Sequence, residues 1–408
     1  MAVFSLAMLF ITIVLYLPGF LVARFFYRDN MVAIAVAPLP SFALYAILGI
    51  FFYCIGLDAK WWMLVIAAIV ISAVIYHFRN AAAGPKRMSI ASGVDWKTVV
   101  PYVVFGVVIT GFFFVGSLNG FSSFAQLFDN ASHLNGIKAM ADGGNYSILS
   151  FGSFTLEDSR SGISPSGELA HFYPAAWHLV TALACAALGV SAALAENASI
   201  VVMIGLVFPL SMWLLLTKVF DGNRRLIVCG SVCTLAFSAF PWYFLVFGPL
   251  YSNLAAFVVV PAGVFVTISF IESCCSGGIR VRDLLVVLVT GVALASLQPN
   301  AVFSVAVLSA PICAGTMVKL LAERDVSAKK RKSITAAAIG AVLIAWVLLW
   351  MAPPFSSMVT YPWPATAEEG QAFFDVATLA MMSGVPQWIL GMLVLFGAIW
   401  AFAKKRNR

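Results

Sequence analysis

Long apolar runs separated by short polar breaks set the pattern of this chain. Candidate membrane spans cover about 3–22, 33–56, 61–77, 98–116, 172–189, 197–217, 226–245, 251–271, 283–298, 300–321, 334–352 and 386–403. Apolar runs of about 18 or more residues read as transmembrane helices, because a helix of that length crosses the hydrocarbon core. Pro38 and Pro40 are expected to break the second run near its start, since an internal proline removes a helix hydrogen bond and crowds the preceding turn. Gln298-Pro299-Asn300 predicts a tight turn between two spans. The longest polar stretches are 118–170 and 353–385. Within the first, the segment from Phe128 to Met140 predicts a short amphipathic helix, stopped by Gly143-Gly144.

Composition fixes the class. Of 408 residues, 62% are apolar and 10% charged, and the mean hydropathy is +0.99. A soluble domain carries roughly 25% charged residues, so this chain has too little charge to solvate a globular surface. The expected fold is all-α: one polytopic transmembrane bundle of about 11–13 helices over residues 1–408. A membrane β-barrel is excluded because the runs do not alternate with period two. The first run is followed by arginines and lacks a small-residue cleavage pattern, so it reads as a retained span. The seven cysteines avoid the long polar loops, and most lie inside apolar runs, so no disulfide framework is expected.

The net charge of +7 adds a topology signal and no nucleic-acid partner. The basic residues cluster in short loops beside spans: Arg24/Arg28, Arg79/Lys86/Arg87, Arg280/Arg282, Lys329 to Lys332, and Lys404 to Arg408. That distribution marks cytoplasmic loops. It places the N-terminus and the 118–170 loop outside, the C-terminus inside and the 353–385 loop outside. Twelve full spans cannot join an outside N-terminus to an inside C-terminus. The conflict falls in 172–271, where either Lys218, Arg224 and Arg225 lie outside against the rule, or the segment after Tyr173 does not cross fully.

The candidate chemistry collects in one region. Three of the four histidines and five of the seventeen carboxylates lie between Leu118 and His178. Asp129 and His133 are spaced i, i+4 and share a helix face. A carboxylate beside an imidazole at a membrane surface suits a general-base pair; the competing reading makes Asp129 a helix cap and His133 a solvated residue. His171-Phe172-Tyr173-Pro174-Ala175-Ala176-Trp177-His178 puts two histidines at the mouth of an apolar helix, with Tyr173 and Trp177 as interface anchors. Tyr251 and Asn253, after Gly248-Pro249, either line an external cavity or form a turn with a capping Asn. The 353–385 loop, rich in proline and aromatics, reads equally as a lid or as structure. Asp129, His133, His171 and His178 have donor types that suit zinc or manganese. No HExxH-type motif supports such a site, so the expectation is no metal and no cofactor. Charges avoid the predicted spans, which argues against a proton-coupled pathway. No P-loop or dinucleotide motif is present.

The Asp129…His133 start of an external loop, with the later Tyr173-Pro174 helix entry and Gly189-Val190-Ser191, resembles the first external loop of GT-C membrane glycosyltransferases. The whole chain also resembles an uncharacterised family of actinobacterial polytopic membrane proteins, through Leu17-Pro18-Gly19, Ala37-Pro38-Leu39-Pro40-Ser41, Asp129…His133, Tyr173…His178 and Gly248…Asn253. The GT-C resemblance implies a polyprenyl-phosphate sugar donor, an acceptor outside the cytoplasm and Asp129 as catalytic base. It further implies that His133, His171, Tyr173 and His178 bind phosphate or orient the acceptor, and that Lys138 or Arg160 neutralises the leaving phosphate. The chain departs from that pattern in having several spans before the loop, where many GT-C enzymes have one, and Asn130 after Asp129. The rival classes are a transporter or flippase for a lipid-linked or small-molecule substrate, and a non-catalytic envelope-assembly protein.

Overall fold

The computed structural model describes residues 1–78, 96–151, 172–277, 280–323, 326–351, 367–378 and 385–406. Among them the regular elements are helical. They are α1 (Ala2–Phe26), α2 (Asn30–Val36), α3 (Pro38–Cys54), α4 (Trp61–His77), α5 (Trp96–Phe113), α6 (Phe128–Gly143) and α7 (Ala176–Leu188). Then follow α8 (Ala192–Val219), α9 (Arg224–Cys233), α10 (Ser238–Val246) and α11 (Tyr251–Cys275). The chain continues through α12 (Val281–Leu297), α13 (Asn300–Glu323), α14 (Ala328–Met351), α15 (Glu369–Thr378) and α16 (Val385–Arg406). Among the described residues, five helices are long and apolar enough to cross a membrane, or up to seven if each bent pair is one span. This is a multi-pass helical membrane bundle.

The proline break is where the sequence puts it. α2 and α3 meet at Pro38 with a bend of 47°. The bend is locked against α1: the Ser41 hydroxyl donates to the Leu15 carbonyl at 2.6 Å. A Cβ on Gly19 would lie 1.8 Å from the Ala37 carbonyl oxygen. The Leu17-Pro18-Gly19 and Ala37…Ser41 motifs are thus two sides of one close helix crossing, with the backbones touching where only glycine fits. α9 and α10 form the second bent pair, at 42°. The 298–300 turn separates α12 from α13.

Contacts sort the helix ends into two groups. In the first, Phe4 at the start of α1 stacks on Phe121 at 4.5 Å. The Ala59 amide, before α4, donates to the Gly144 carbonyl at 2.8 Å. Ser191, at the start of α8, donates to Ser122 at 3.2 Å. Asn300, at the start of α13, donates to Asn253 at 2.8 Å. In the second group, the Trp213 indole donates to Thr98 at 3.0 Å, and the Tyr102 hydroxyl donates to the Ile227 carbonyl at 2.7 Å. Lys218 pairs with Glu272, Ser273 bonds Asp283, and Tyr27 packs near Phe265.

This grouping agrees with the second of the two readings of 172–271, in which the segment after Tyr173 does not cross fully. α7 has 13 residues, about 20 Å at 1.5 Å per residue, against a hydrocarbon core of about 30 Å. Both of its ends belong to the first group. Upstream, the Tyr173 amide donates to the Ile148 carbonyl at 2.9 Å; downstream, Gly189-Val190 leads straight to Ser191. α7 packs against α6, and both of its ends stay with the first group of helix ends.

Candidate functional site

The site forms on α6. Leu127 precedes the helix without a side-chain cap, and Gly144, at φ 72°, ends it. Asp129 therefore sits in the first turn as an exposed carboxylate and is not the capping residue. Partial burial raises its carboxyl above the ordinary range. Gly248 approaches it so closely that a Cβ there would lie 3.0 Å from Asp129 Oδ2.

One turn later, His133 is only 7% exposed, which overturns its reading as a solvated residue. Its Nδ1 lies 2.8 Å from His178 Nε2, and its Nε2 lies 3.2 Å from the Pro249 carbonyl oxygen. A carbonyl only accepts, so Nε2 of neutral His133 carries the proton and Nδ1 is the acceptor. His178 Nε2 must then donate, and its Nδ1 is left as a bare acceptor. That nitrogen is buried and has no hydrogen-bond partner among the described residues. Burial pushes the His133 imidazole down to about 4, the Pro249 carbonyl pulling the other way. The expected Asp129–His133 pair is not made: the two share a helix side, but His133 commits both nitrogens elsewhere.

Aromatic rings wall the pair. His133 lies against Trp177 at 5.6 Å and Tyr251 at 5.8 Å. His178 meets Phe151 at 4.8 Å and Tyr173 at 5.6 Å. The Tyr173 hydroxyl faces Ser252, and the Trp177 indole donates to Ser199 at 3.0 Å. Three motifs far apart in sequence, around Asp129, His178 and Gly248, therefore meet at one place.

A family model described as a family of unknown function, DUF6541, matches residues 12–408. The chain belongs to that family. No curated protein and no solved structure matches it. The comparisons thus carry neither the GT-C nor the actinobacterial resemblance.

Other candidates in this DUF6541 chain lie apart from the histidine pair. Lys138 pairs with Asp142 at 2.6 Å, both exposed. It lines a cleft of about 360 Å³ with Lys60, Trp61 and Tyr146, which Asp129 does not line. Asn253 accepts from Asn300 and ties two helix starts together. Arg160 and His171 fall outside the described residues, as does most of the expected 353–385 lid. In its described part, Phe374 of α15 packs on Trp388 of α16 at 4.5 Å. Among the described residues, no three His, Cys, Asp or Glu side chains gather as metal ligands.

Sequence reasoning missed Glu196 and Asn130. Glu196 is 0% exposed and lies inside α8, which begins at Ala192 and not at the expected residue 197. The expectation that charges avoid the spans fails there. The available signal was Ser191, whose hydroxyl accepts from the Leu194 amide at 3.2 Å and starts the helix five residues earlier than hydropathy alone placed it.

Proposed function

We propose that this membrane protein is a GT-C-like glycosyltransferase. It moves a sugar from a polyprenyl-phosphate donor to a hydroxyl acceptor on the extracytoplasmic side of the cell membrane. The observation that carries the reading is the convergence at the first group of helix ends: an exposed carboxylate on a short helix, beside an aromatic-walled imidazole pair with one unshared basic nitrogen. Asp129 takes the proton as the acceptor oxygen attacks the anomeric carbon, and the sugar–phosphate bond breaks with its electrons on the lipid phosphate. The bare Nδ1 of His178 accepts from the hydroxyl and orients it; a neutral imidazole nitrogen without a proton does not bind phosphate. Leaving-group neutralisation is the role of an external cation, Lys138 or Arg160.

Orientation supports the same side. The second group of helix ends carries Arg24, Arg28, Lys97, Lys218, Arg224, Arg225, Arg280 and Arg282, whereas the first carries Lys60 and Lys138. The positive-inside rule makes the second group cytoplasmic. With α7 removed from the count, the remaining candidate spans are odd in number. This reading keeps the N-terminus outside and the C-terminus inside, with Lys218, Arg224 and Arg225 obeying the rule. A transporter would place ionisable groups near the bilayer midplane. Glu196 lies only five residues beyond Ser191, about 7 Å along α8, close to the outer end.

The test is sugar transfer by proteoliposomes supplied with a labelled polyprenyl-phosphate sugar. Asp129→Asn should lower transfer by about 10²–10⁴-fold, the range for loss of a general base, with monodispersity unchanged. Undiminished transfer would sink the assignment, and flux of the intact lipid-linked sugar without transfer would favour the flippase.

A further inference from the structure

The first turn of α6 carries Asp129, yet no capping side chain fixes it. It is held from outside. Asn130, next to Asp129, is fully buried, and its amide donates to the Ala125 carbonyl at 3.1 Å. That same amide faces the buried Glu196 carboxyl of α8. Asn197, the next residue on α8, donates to the Phe121 carbonyl at 3.0 Å and to the Ser123 carbonyl at 2.6 Å. Ser191 adds its bond to Ser122. Two consecutive residues of one helix therefore reach the chain before and after the point where α6 begins.

A carboxyl buried in an apolar bundle is costly unless a polar partner compensates it. Among the described residues neither Glu196 oxygen has a donor within hydrogen-bond geometry, and the Asn130 amide is the polar side chain that faces the carboxyl. A glutamine there still offers an oxygen that can accept from the Asn130 amide, whereas an alanine offers none.

We propose that Glu196 is a positioning residue for Asp129: through Asn130, and together with Asn197, it straps the start of α6 to α8 and fixes where the carboxylate stands. The proposal rests on Asp129 being the base, and its test separates the two. In a chain whose native cysteines are replaced, Asp129→Cys reports the position by its labelling rate with a membrane-impermeant maleimide, without any need for catalysis. Adding Glu196→Ala should change that rate severalfold. In the native background Glu196→Ala should lower kcat by up to about a hundredfold, as a misplacement of about 1 Å does, while KM stays nearly constant. Glu196→Gln should recover part of the loss, and Glu196→Ala should add nothing to Asp129→Asn. If Glu196→Ala gives no monodisperse protein, the labelling comparison is made with Glu196→Gln and Asn130→Ala. An unchanged labelling rate overturns the strap, whatever the activity. A changed rate with kcat unaffected overturns the positioning role. A fully active Asp129→Asn defeats the base assignment instead.

Discussion

Acid should loosen this protein through His133. Its folded imidazole titrates at about 4, against an ordinary value of 6.5, because it is buried. The unfolded chain therefore binds a proton at this residue between those two values while the native state does not. Stability from keeping His133 neutral is complete above about pH 6.5. It is lost as pH falls toward about 4 and changes no further below that. At about 1.4 kcal/mol per pH unit, the loss is roughly 2 kcal/mol by pH 5 and about 3 kcal/mol in all. The assay is thermal unfolding in detergent, followed by tryptophan fluorescence from about pH 7 to pH 5, for wild type and His133→Gln. The variant starts lower, since removing the bond to His178 costs about 1 kcal/mol. Its unfolding temperature should then decline less steeply on acidification than that of wild type. Parallel declines would refute the reasoning, because the acid sensitivity would then arise elsewhere.

Gly248→Ala should lower transfer more than it lowers stability: φ of 63° strains an alanine by about 1–2 kcal/mol, and its Cβ would press on Asp129. Steady-state kinetics beside thermal unfolding would separate the two effects. Gly19→Ala should sharply deplete folded protein, because its Cβ would meet the Ala37 carbonyl, which is backbone and cannot rotate away; the monodisperse fraction on size exclusion reads this out. The two groups of helix ends predict opposite labelling. In intact cells, Asp58→Cys and Val190→Cys should react with an impermeant thiol reagent and Asn223→Cys should not; labelling at residue 223 would invert or break the proposed topology.

Most of the secondary structure was legible because it rests on local chemistry. Apolar run length gives the helices, Pro38 the bend, Gly143-Gly144 the end of α6 and Pro299 the turn. What was hidden depends on partners distant in sequence. α7 reads as a span by hydropathy, charge parity alone left its crossing open, and the contacts of its two ends keep both with one group of helix ends. His133 looked solvated because α6 is polar overall, and its burial comes from α7 and the turn before α11. Glu196 was overlooked because hydropathy places helix starts by apolar content, whereas a serine cap places them by hydrogen bonding. The three motifs around Asp129, His178 and Gly248 were each visible, but their meeting point was not, since no spacing rule links positions 133, 178 and 249.

The central claim is that Asp129 removes a proton during sugar transfer from a lipid phosphate. The most direct measurement is single-turnover transfer from a labelled polyprenyl-phosphate sugar by purified wild-type protein and Asp129→Asn, across pH. The account predicts transfer by wild type with an acid limb above the ordinary carboxylate value, since burial raises Asp129, and a loss of about 10²–10⁴-fold in the variant. Equal single-turnover rates for the two proteins would contradict it.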